Sequence, residues 1–177
     1  MSQDQKLLPQ NDALVHERGF ESSVLPSAPS RDFLISLPKL QTESIITKEG
    51  NVWVVRRGIS FVAPWKGINP TRKIIHSHIN ASEIPNRPSR IPTLADFLKR
   101  VGDAHEMIVS KYGITEFNRA SSEDAIADLT REMLGVTFVT EKMDTRAYEK
   151  YLRDHGVDFV LTPWNQLSND DVAEIFT

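Results

Sequence analysis

The chain contains no cysteine, no large excess of charge of either sign and no long apolar run. The lack of cysteine excludes disulfides, thiolate zinc sites and a cysteine nucleophile, so any metal ion must be held by histidine and carboxylate side chains. Lysine and arginine total 21 against 24 acidic residues, which gives a formal charge of -3. A protein that binds a nucleic-acid backbone usually has a basic excess, so we expect no nucleic-acid partner.

No stretch approaches the ~18 apolar residues of a membrane span, and the polar segment MSQDQKLLPQND at the N-terminus lacks the apolar core of a signal peptide. We therefore expect a soluble, cytoplasmic protein without a membrane partner. At 177 residues the chain suits one domain with at most a small appendage, and it is too short for a complete (β/α)8 barrel. Hydrophobic residues make up 40% of the chain, which predicts a buried core.

Three segments differ in composition and patterning. Residues 1–30 carry three prolines among polar residues and show little apolar periodicity, which predicts a loosely ordered N-terminal arm. Residues 31–120 form the predicted core, in which apolar strands alternate with turns. Residues 121–177 alternate helices with strands, which predicts an α/β C-terminal extension packed on the core. The fold class is therefore α/β or α+β, with a mixed central sheet flanked by helices.

Periodicity and turn residues place the individual elements. Gly50-Asn51 supplies the positive φ of a tight turn between two strands, and an apolar stripe from Leu94 to Val101 has helical spacing. The predicted strands include residues 45–46, 52–55, 59–62, 73–78, 107–109, 114–117, 136–139 and 157–161. Beyond the helix at 94–101, the predicted helices are 123–134, 145–155 and a short last helix capped by Ser168.

Two histidines and three tryptophans have structural interpretations. His105 and His155 are predicted at the C-terminal ends of helices, where an imidazolium complements the helix dipole. Trp53, Trp65 and Trp164 are expected to pack in the core or in an interface. None of the five is a candidate ligand.

Two of the five histidines stand in His76-Ser77-His78, at the end of an apolar strand. Alternate residues of an extended strand project from one face, so both imidazoles can reach the same metal ion. A catalytic zinc takes three protein ligands and leaves a fourth position for water. Asp96, at the beginning of the next helix, is the nearest downstream carboxylate on a rigid element, and Glu83 in the intervening loop is the alternative third ligand.

Hydrolysis of an amide also needs a carboxylate that takes a proton from water and returns it to the leaving nitrogen. Glu43, which opens the first strand of the core, is the candidate for this general base. Nothing within the strand distinguishes Glu43 from Glu49, so both remain candidates.

The order of these residues resembles the signature of the JAMM (JAB/MPN-type) zinc metalloproteases, in particular their bacterial branch. The resemblance rests on Glu43-Ser44-Ile45-Ile46 with its glycine turn, on His76-Ser77-His78, on Thr93-Leu94-Ala95-Asp96 after a proline-containing loop, and on the strand pair that includes Met107 to Ile114. It covers roughly residues 43–117, less than half of the chain.

The resemblance implies a JAMM/cytidine-deaminase-like fold and a hydrolase that cleaves a peptide or isopeptide bond. Its substrate would be a peptide or a ubiquitin-like protein. Carried over position by position, it implies that His76, His78 and Asp96 ligate Zn2+. Glu43 would be the general base, and the hydroxyl of Thr93 would hydrogen-bond the oxyanion.

Two departures from the family pattern keep other interpretations open. Ile79 follows the second histidine, where family members usually have proline, and the loop from there to Thr93 is longer than usual. A PHP-type metal-dependent phosphoesterase also begins with His-x-His and a nearby serine, and a non-catalytic binding or assembly module would need no metal. Ser89 is an alternative to Thr93, and Thr93 with Asp96 also forms a helix capping box. The oligomeric state stays open.

Overall fold

A computed structural model describes residues 15–17, 20–58, 73–84, 88–94, 96, 105–118, 123–136 and 139–177 of the chain. The described residues contain one eight-stranded sheet with the order β1-β2-β4-β3-β5-β6-β7-β8, numbered along the chain. The strands are β1 (Val15–Glu17), β2 (Phe20–Leu25), β3 (Ser44–Glu49), β4 (Val52–Gly58), β5 (Lys73–Ser77), β6 (His105–Ser110), β7 (Gly113–Phe117) and β8 (Phe159–Pro163).

The described segments also contain four α-helices, which are α1 (Arg31–Ser36), α2 (Glu123–Met133), α3 (Thr145–Asp154) and α4 (Asn169–Ile175). Ser30, Asp144 and Ser168 cap α1, α3 and α4 with their side-chain oxygens, which satisfies backbone donors that the first turn leaves open. Leu94 and Asp96 also have helical backbone. The rest of the helix predicted at 94–101 lies outside the described residues.

The sheet is mixed because β5 and β6 pair in parallel, whereas every other pair of neighbouring strands in it is antiparallel. Parallel neighbours need a long crossover connection. Here the crossover runs from the end of β5 to the beginning of β6, and it carries the loop with Thr93 and Asp96. The parallel pair is therefore the feature that brings this loop back over the end of β5.

Each face of the sheet is covered by a separate apolar core. The first core lies under α1 and α4 and contains Leu25, Leu34, Leu37, Leu40, Ile46, Trp53, Val55, Ile75, Met107, Val109, Ile114, Val172 and Phe176. The second core packs against α2 and α3 and contains Ile91, Ile108, Phe117, Leu129, Tyr148, Leu152, Val157 and Phe159. Since β8 pairs with β7, the C-terminal residues contribute a strand to the same sheet as residues 31–120.

The mixed sheet flanked by helices is confirmed, as are the β3–β4 turn with Gly50 at φ 60 and the helices at the C-terminus. The finer prediction of a JAMM/cytidine-deaminase-like fold and the boundaries at residues 30 and 120 stay predictions. Trp53 and Trp164 pack in or against the first core, as expected. Trp65 and the predicted strand at 59–62 lie outside the described residues.

The structure differs from the sequence-based prediction at three places. Residues Phe20–Leu25 were predicted to belong to a loosely ordered arm, but they pair along their full length with β4. Without this pairing β4 would leave an open edge of the sheet. His105, expected late in a helix, is instead the first residue of β6. Val136 and Val139, the two ends of the strand predicted at 136–139, lie in a bend and a turn, and residues 137–138 between them lie outside the described residues.

None of the helices in the described ranges combines the length and the hydropathy that crossing a membrane requires.

Candidate metal centre

The end of β5 brings two buried imidazoles together. His76 is 1% and His78 is 4% exposed, and their Nε2 atoms lie 3.1 Å apart. The backbone N–H of His78 donates to the carbonyl of Val109 at 2.9 Å, which continues the β5–β6 pairing beyond Ser77. The extended backbone therefore keeps both imidazoles on one face of the sheet, as the alternation of the strand predicts.

The carboxylate of Asp96 completes this group from the crossover. Its Oδ1 lies 3.2 Å from Nε2 of His76, its Oδ2 lies 3.3 Å from Nε2 of His78, and the residue is 2% exposed. The backbone N–H of Thr93 donates to Oδ2 at 2.7 Å, which fixes the orientation of the carboxylate. Asp96 thus contacts both histidines while it also forms the return bond of the predicted capping box.

The three side chains are nearly as close together as the ligands of a tetrahedral metal ion. Bonds of about 2.05 Å from zinc to nitrogen or oxygen separate two ligand atoms of a tetrahedron by about 3.3 Å. The nearest contacts between the three side chains measure 3.1, 3.2 and 3.3 Å, and the last two end on different oxygens of Asp96. One ligand atom from each residue can be chosen so that all three lie within 4.8 Å of one another. The group could therefore hold one metal ion after a small adjustment of side chains that already contact each other.

The charges of the three groups are coupled. Burial by itself raises the pKa of Asp96, but the two imidazoles outweigh this effect and hold the pKa of the carboxyl well below its usual range. Burial lowers the pKa of His78, whereas the carboxylates of Asp96 and Glu43 raise it, and the net pKa is above the usual imidazole value. The carboxylate is therefore ionised at neutral pH, as a metal ligand must be.

A backbone carbonyl orients the ring of His78. Nδ1 of His78 lies 3.0 Å from the carbonyl oxygen of Ser89, which can only accept a hydrogen bond. Nδ1 therefore donates to this carbonyl, and Nε2 is the nitrogen that faces His76 and Asp96. This arrangement is typical of histidines that ligate metals.

Glu83, the alternative third ligand, is bound elsewhere. Its Oε2 accepts from the hydroxyl of Ser89 at 2.9 Å, and its Oε1 accepts from the hydroxyl of Tyr112 and from Nζ of Lys111, both at 2.9 Å. Partial burial raises the pKa of Glu83, but these partners outweigh it and lower the pKa to about 2. The structure therefore brings Asp96, and not Glu83, to the two histidines.

The two candidates for the general base lie at opposite ends of β3. The carboxylate of Glu49 pairs with Arg56 at 2.6 Å and accepts from the hydroxyl of Thr47 at 3.0 Å. Glu43 precedes Ser44, and its charge is near enough to His78 to raise the pKa of that imidazole. Of the two, Glu43 is the one beside the histidines.

A cleft of about 370 Å³ opens beside the cluster. Its polar lining residues are Glu43, His78, Ser89 and Thr93, and its apolar lining residues are Ile84, Pro88, Ile91, Pro92, Leu94 and Tyr148. Thr93 is exposed, whereas Ser89 is 4% exposed and its hydroxyl donates to Glu83. Thr93 is therefore better placed than Ser89 to offer a hydroxyl to a molecule in the cleft.

Sequence reasoning missed the residues that hold the loop around the cluster. The hydroxyl of Tyr148, on α3, donates to the carbonyl of Pro92 at 3.2 Å, and Arg90 pairs with Glu149 at 3.1 Å. The apolar period of α3 could have indicated that Tyr148 is buried. No sequence signal indicates which backbone carbonyl a loop presents to His78, since that depends on the path of the loop.

His155 lies at the C-terminal end of a helix, as the sequence predicts. It follows α3, and its Nδ1 lies 2.8 Å from the carbonyl oxygen of Tyr151, so it caps the end of that helix.

Comparison with known proteins found no relative of this chain. No family model, curated protein or solved structure matches the chain. Its function is therefore argued from the geometry of its own residues.

Proposed function

We propose that this chain is a zinc-dependent hydrolase that cleaves a peptide or isopeptide bond, in the manner of the JAMM metalloproteases that its motifs resemble. The observation that carries the proposal is the buried triangle of His76, His78 and Asp96, with contacts of 3.1 to 3.3 Å, at the edge of a cleft. The orientation of His78, with Nε2 toward the other two side chains, and the ionised carboxylate of Asp96 support it, because a metal ligand needs both an accessible nitrogen or oxygen and the deprotonated form of an acid.

Each residue at the cleft has one role in this proposal. Zinc, when bound by the triangle, would polarise a substrate carbonyl and lower the pKa of a water toward about 7. Glu43 takes the proton from the attacking water and returns it to the leaving nitrogen. The hydroxyl of Thr93 donates a hydrogen bond to the oxyanion that develops on the substrate.

The walls of the cleft favour a neutral, partly apolar substrate segment. Ile84 is 54% exposed at its rim, and Pro88 and Leu94 are partly buried along it. Of the described residues that line it, none is lysine or arginine, and Glu43 is acidic. A peptide with an apolar side chain beside the cleaved bond fits this lining better than an anionic substrate.

A second candidate is a binding or assembly module in which the triangle is purely structural. The observation in its favour is that Asp96 contacts both histidines directly, at 3.2 and 3.3 Å, as a structural ion pair would. The PHP-like phosphoesterase gains no such support. That family has a barrel fold, whereas the described strands have the order of an open sheet.

Metal analysis of the purified protein and of the double variant His76→Ala, His78→Ala separates these candidates. We predict about one zinc per chain in the native protein, and loss of both the zinc and the hydrolysis of a fluorogenic peptide library in the double variant. His155→Ala is the matched control, since this histidine caps α3, and it should keep its zinc. A double variant that retains zinc at full stoichiometry would refute the proposed site, and a native protein that takes up no zinc would favour the structural module.

A further inference from the structure

The loop between β5 and the Thr93–Asp96 segment contains a chain of hydrogen bonds that ends on a candidate zinc ligand. It begins at Lys111 and Tyr112, in the turn between β6 and β7, whose Nζ and hydroxyl each lie 2.9 Å from Oε1 of Glu83. It continues from Oε2 of Glu83 to Ser89, and from the carbonyl of Ser89 to His78. A rigid turn of the sheet is thus connected to the imidazole through one carboxylate.

Glu83 holds Ser89 by two separate groups. The hydroxyl of Ser89 donates to Oε2 at 2.9 Å, and its backbone N–H lies 3.4 Å from the same oxygen. A second backbone bond, from the N–H of Ile91 to the carbonyl of Pro88 at 3.0 Å, closes the turn in which Ser89 lies. Glu83 therefore fixes Ser89 through its hydroxyl and its backbone N–H, and the carbonyl of the same residue is aimed at Nδ1 of His78.

We propose that Glu83 is a positioning residue for zinc, and that it acts through the Ser89 carbonyl to hold the ring of His78 with Nε2 toward the zinc position. The proposal rests on the proposed zinc site, but Glu83 itself touches neither zinc nor substrate. Without Glu83 the backbone at Ser89 can turn, and Nδ1 of His78 loses its acceptor. The ring is then free to rotate away from the orientation in which Nε2 faces His76 and Asp96.

The test compares the zinc affinity of the full-length native protein, of Glu83→Ala and of Glu149→Ala. Loss of an outer-shell partner of a ligating histidine weakens metal binding roughly 10- to 100-fold. We expect this loss in Glu83→Ala, measured by competition with a chromophoric chelator, at unchanged zinc stoichiometry when zinc is saturating. Glu149→Ala is the matched control, because Glu149 pairs with Arg90 of the same loop and lies outside the chain that leads to His78. It should bind zinc within a few-fold of the native protein.

A second readout does not depend on zinc. Proton NMR of the metal-free protein in mildly acidic solution, where both nitrogens of an imidazole carry protons, reports how fast the Nδ1–H of His78 exchanges with water. We expect slow exchange in the native protein and in Glu149→Ala, where the Ser89 carbonyl holds this proton, and exchange at least about 10-fold faster in Glu83→Ala. A Glu83→Ala protein with native zinc affinity, or with the native exchange rate, would overturn the proposal. If the native protein binds no zinc, the proposed function fails, and the NMR comparison still decides whether Glu83 holds the bond between Ser89 and His78.

Discussion

At the scale of single residues, the candidate centre depends on Asp96, whose carboxylate makes two kinds of contact at once. Asp96 binds its own helix start through the N–H of Thr93 and also contacts His76 and His78. The sequence offers the capping box with Thr93 as an alternative to the ligand role of Asp96. In the structure the two sets of contacts are compatible, because the two carboxylate oxygens face different histidines and the cap bond uses only one of them.

The role of Glu43 is tested by a change that keeps its size. In Glu43→Gln we expect full zinc content but a fall in turnover by at least about 100-fold, because an amide cannot take the proton from water. Steady-state kinetics with the best peptide from the library, together with metal analysis, measure the two quantities separately.

Glu49→Gln is the control for this prediction. It makes the same chemical change on the same strand, at the end where the carboxylate pairs with Arg56. Its turnover should stay near that of the native protein. Native activity in Glu43→Gln would show that another group is the base.

The pKa of Glu83 gives a prediction on stability against pH. The folded protein lowers this pKa from 4.5 to about 2, so the carboxylate stabilises the fold fully above pH 4.5, and this contribution is lost as the pH falls from 4.5 toward 2. Because the side chain is partly exposed, we expect Glu83→Gln to be less stable than the native protein by only about 1 kcal/mol at neutral pH. Urea unfolding across this pH range should show the difference shrinking as the acid is protonated. A difference that stays constant down to pH 2 would contradict the assignment.

At the scale of elements, the hairpin of β6 and β7 and its contact with β8 depend on a glycine. Gly113 has φ +154, and a Cβ added there would overlap the carbonyl oxygen of Thr162 and lie 2.8 Å from Cα of Pro163. Both atoms belong to the backbone of β8, which cannot move aside without breaking the β7–β8 ladder. The close approach of the two strands therefore requires glycine at this position.

We predict that Gly113→Ala lowers the free energy of unfolding by roughly 2–4 kcal/mol, because the strand backbone must shift. Gly50→Ala is the matched control in the β3–β4 turn, where φ is +60 and no atom lies within 4 Å of the added Cβ. This variant should lower the free energy of unfolding by only about 1 kcal/mol, because alanine is disfavoured in the left-handed conformation. Equal losses in the two variants, measured by urea unfolding, would show that the approach of β8 does not constrain Gly113.

Local patterns predicted those elements whose borders are set by local chemistry. The glycine turn at Gly50 and the cap at Ser168 each act over a few residues, and the structure has them as expected. The strand at Phe20–Leu25 could not be predicted, because it exists through pairing with β4, which begins 27 residues after Leu25. The same holds for His105, whose strand is defined by its parallel neighbour β5.

At the scale of the whole molecule, the candidate centre lies where the core sheet meets the C-terminal residues. The sheet supplies His76 and His78, the crossover supplies Asp96, and α3 contacts the loop between them through Tyr148. The sequence motifs predicted the three candidate ligands because histidine spacing and helix starts are local features. The carbonyl of Ser89 and the contact from α3 are long-range features of the fold, and only the coordinates place them.

Our central claim is that the triangle of His76, His78 and Asp96 holds one zinc ion. Anomalous diffraction at the zinc edge, from crystals grown with zinc, measures this most directly. We predict a single peak about 2.0–2.2 Å from Nε2 of each histidine and from one oxygen of Asp96. A map without density there, in which the three side chains still contact each other at saturating zinc, would contradict the claim.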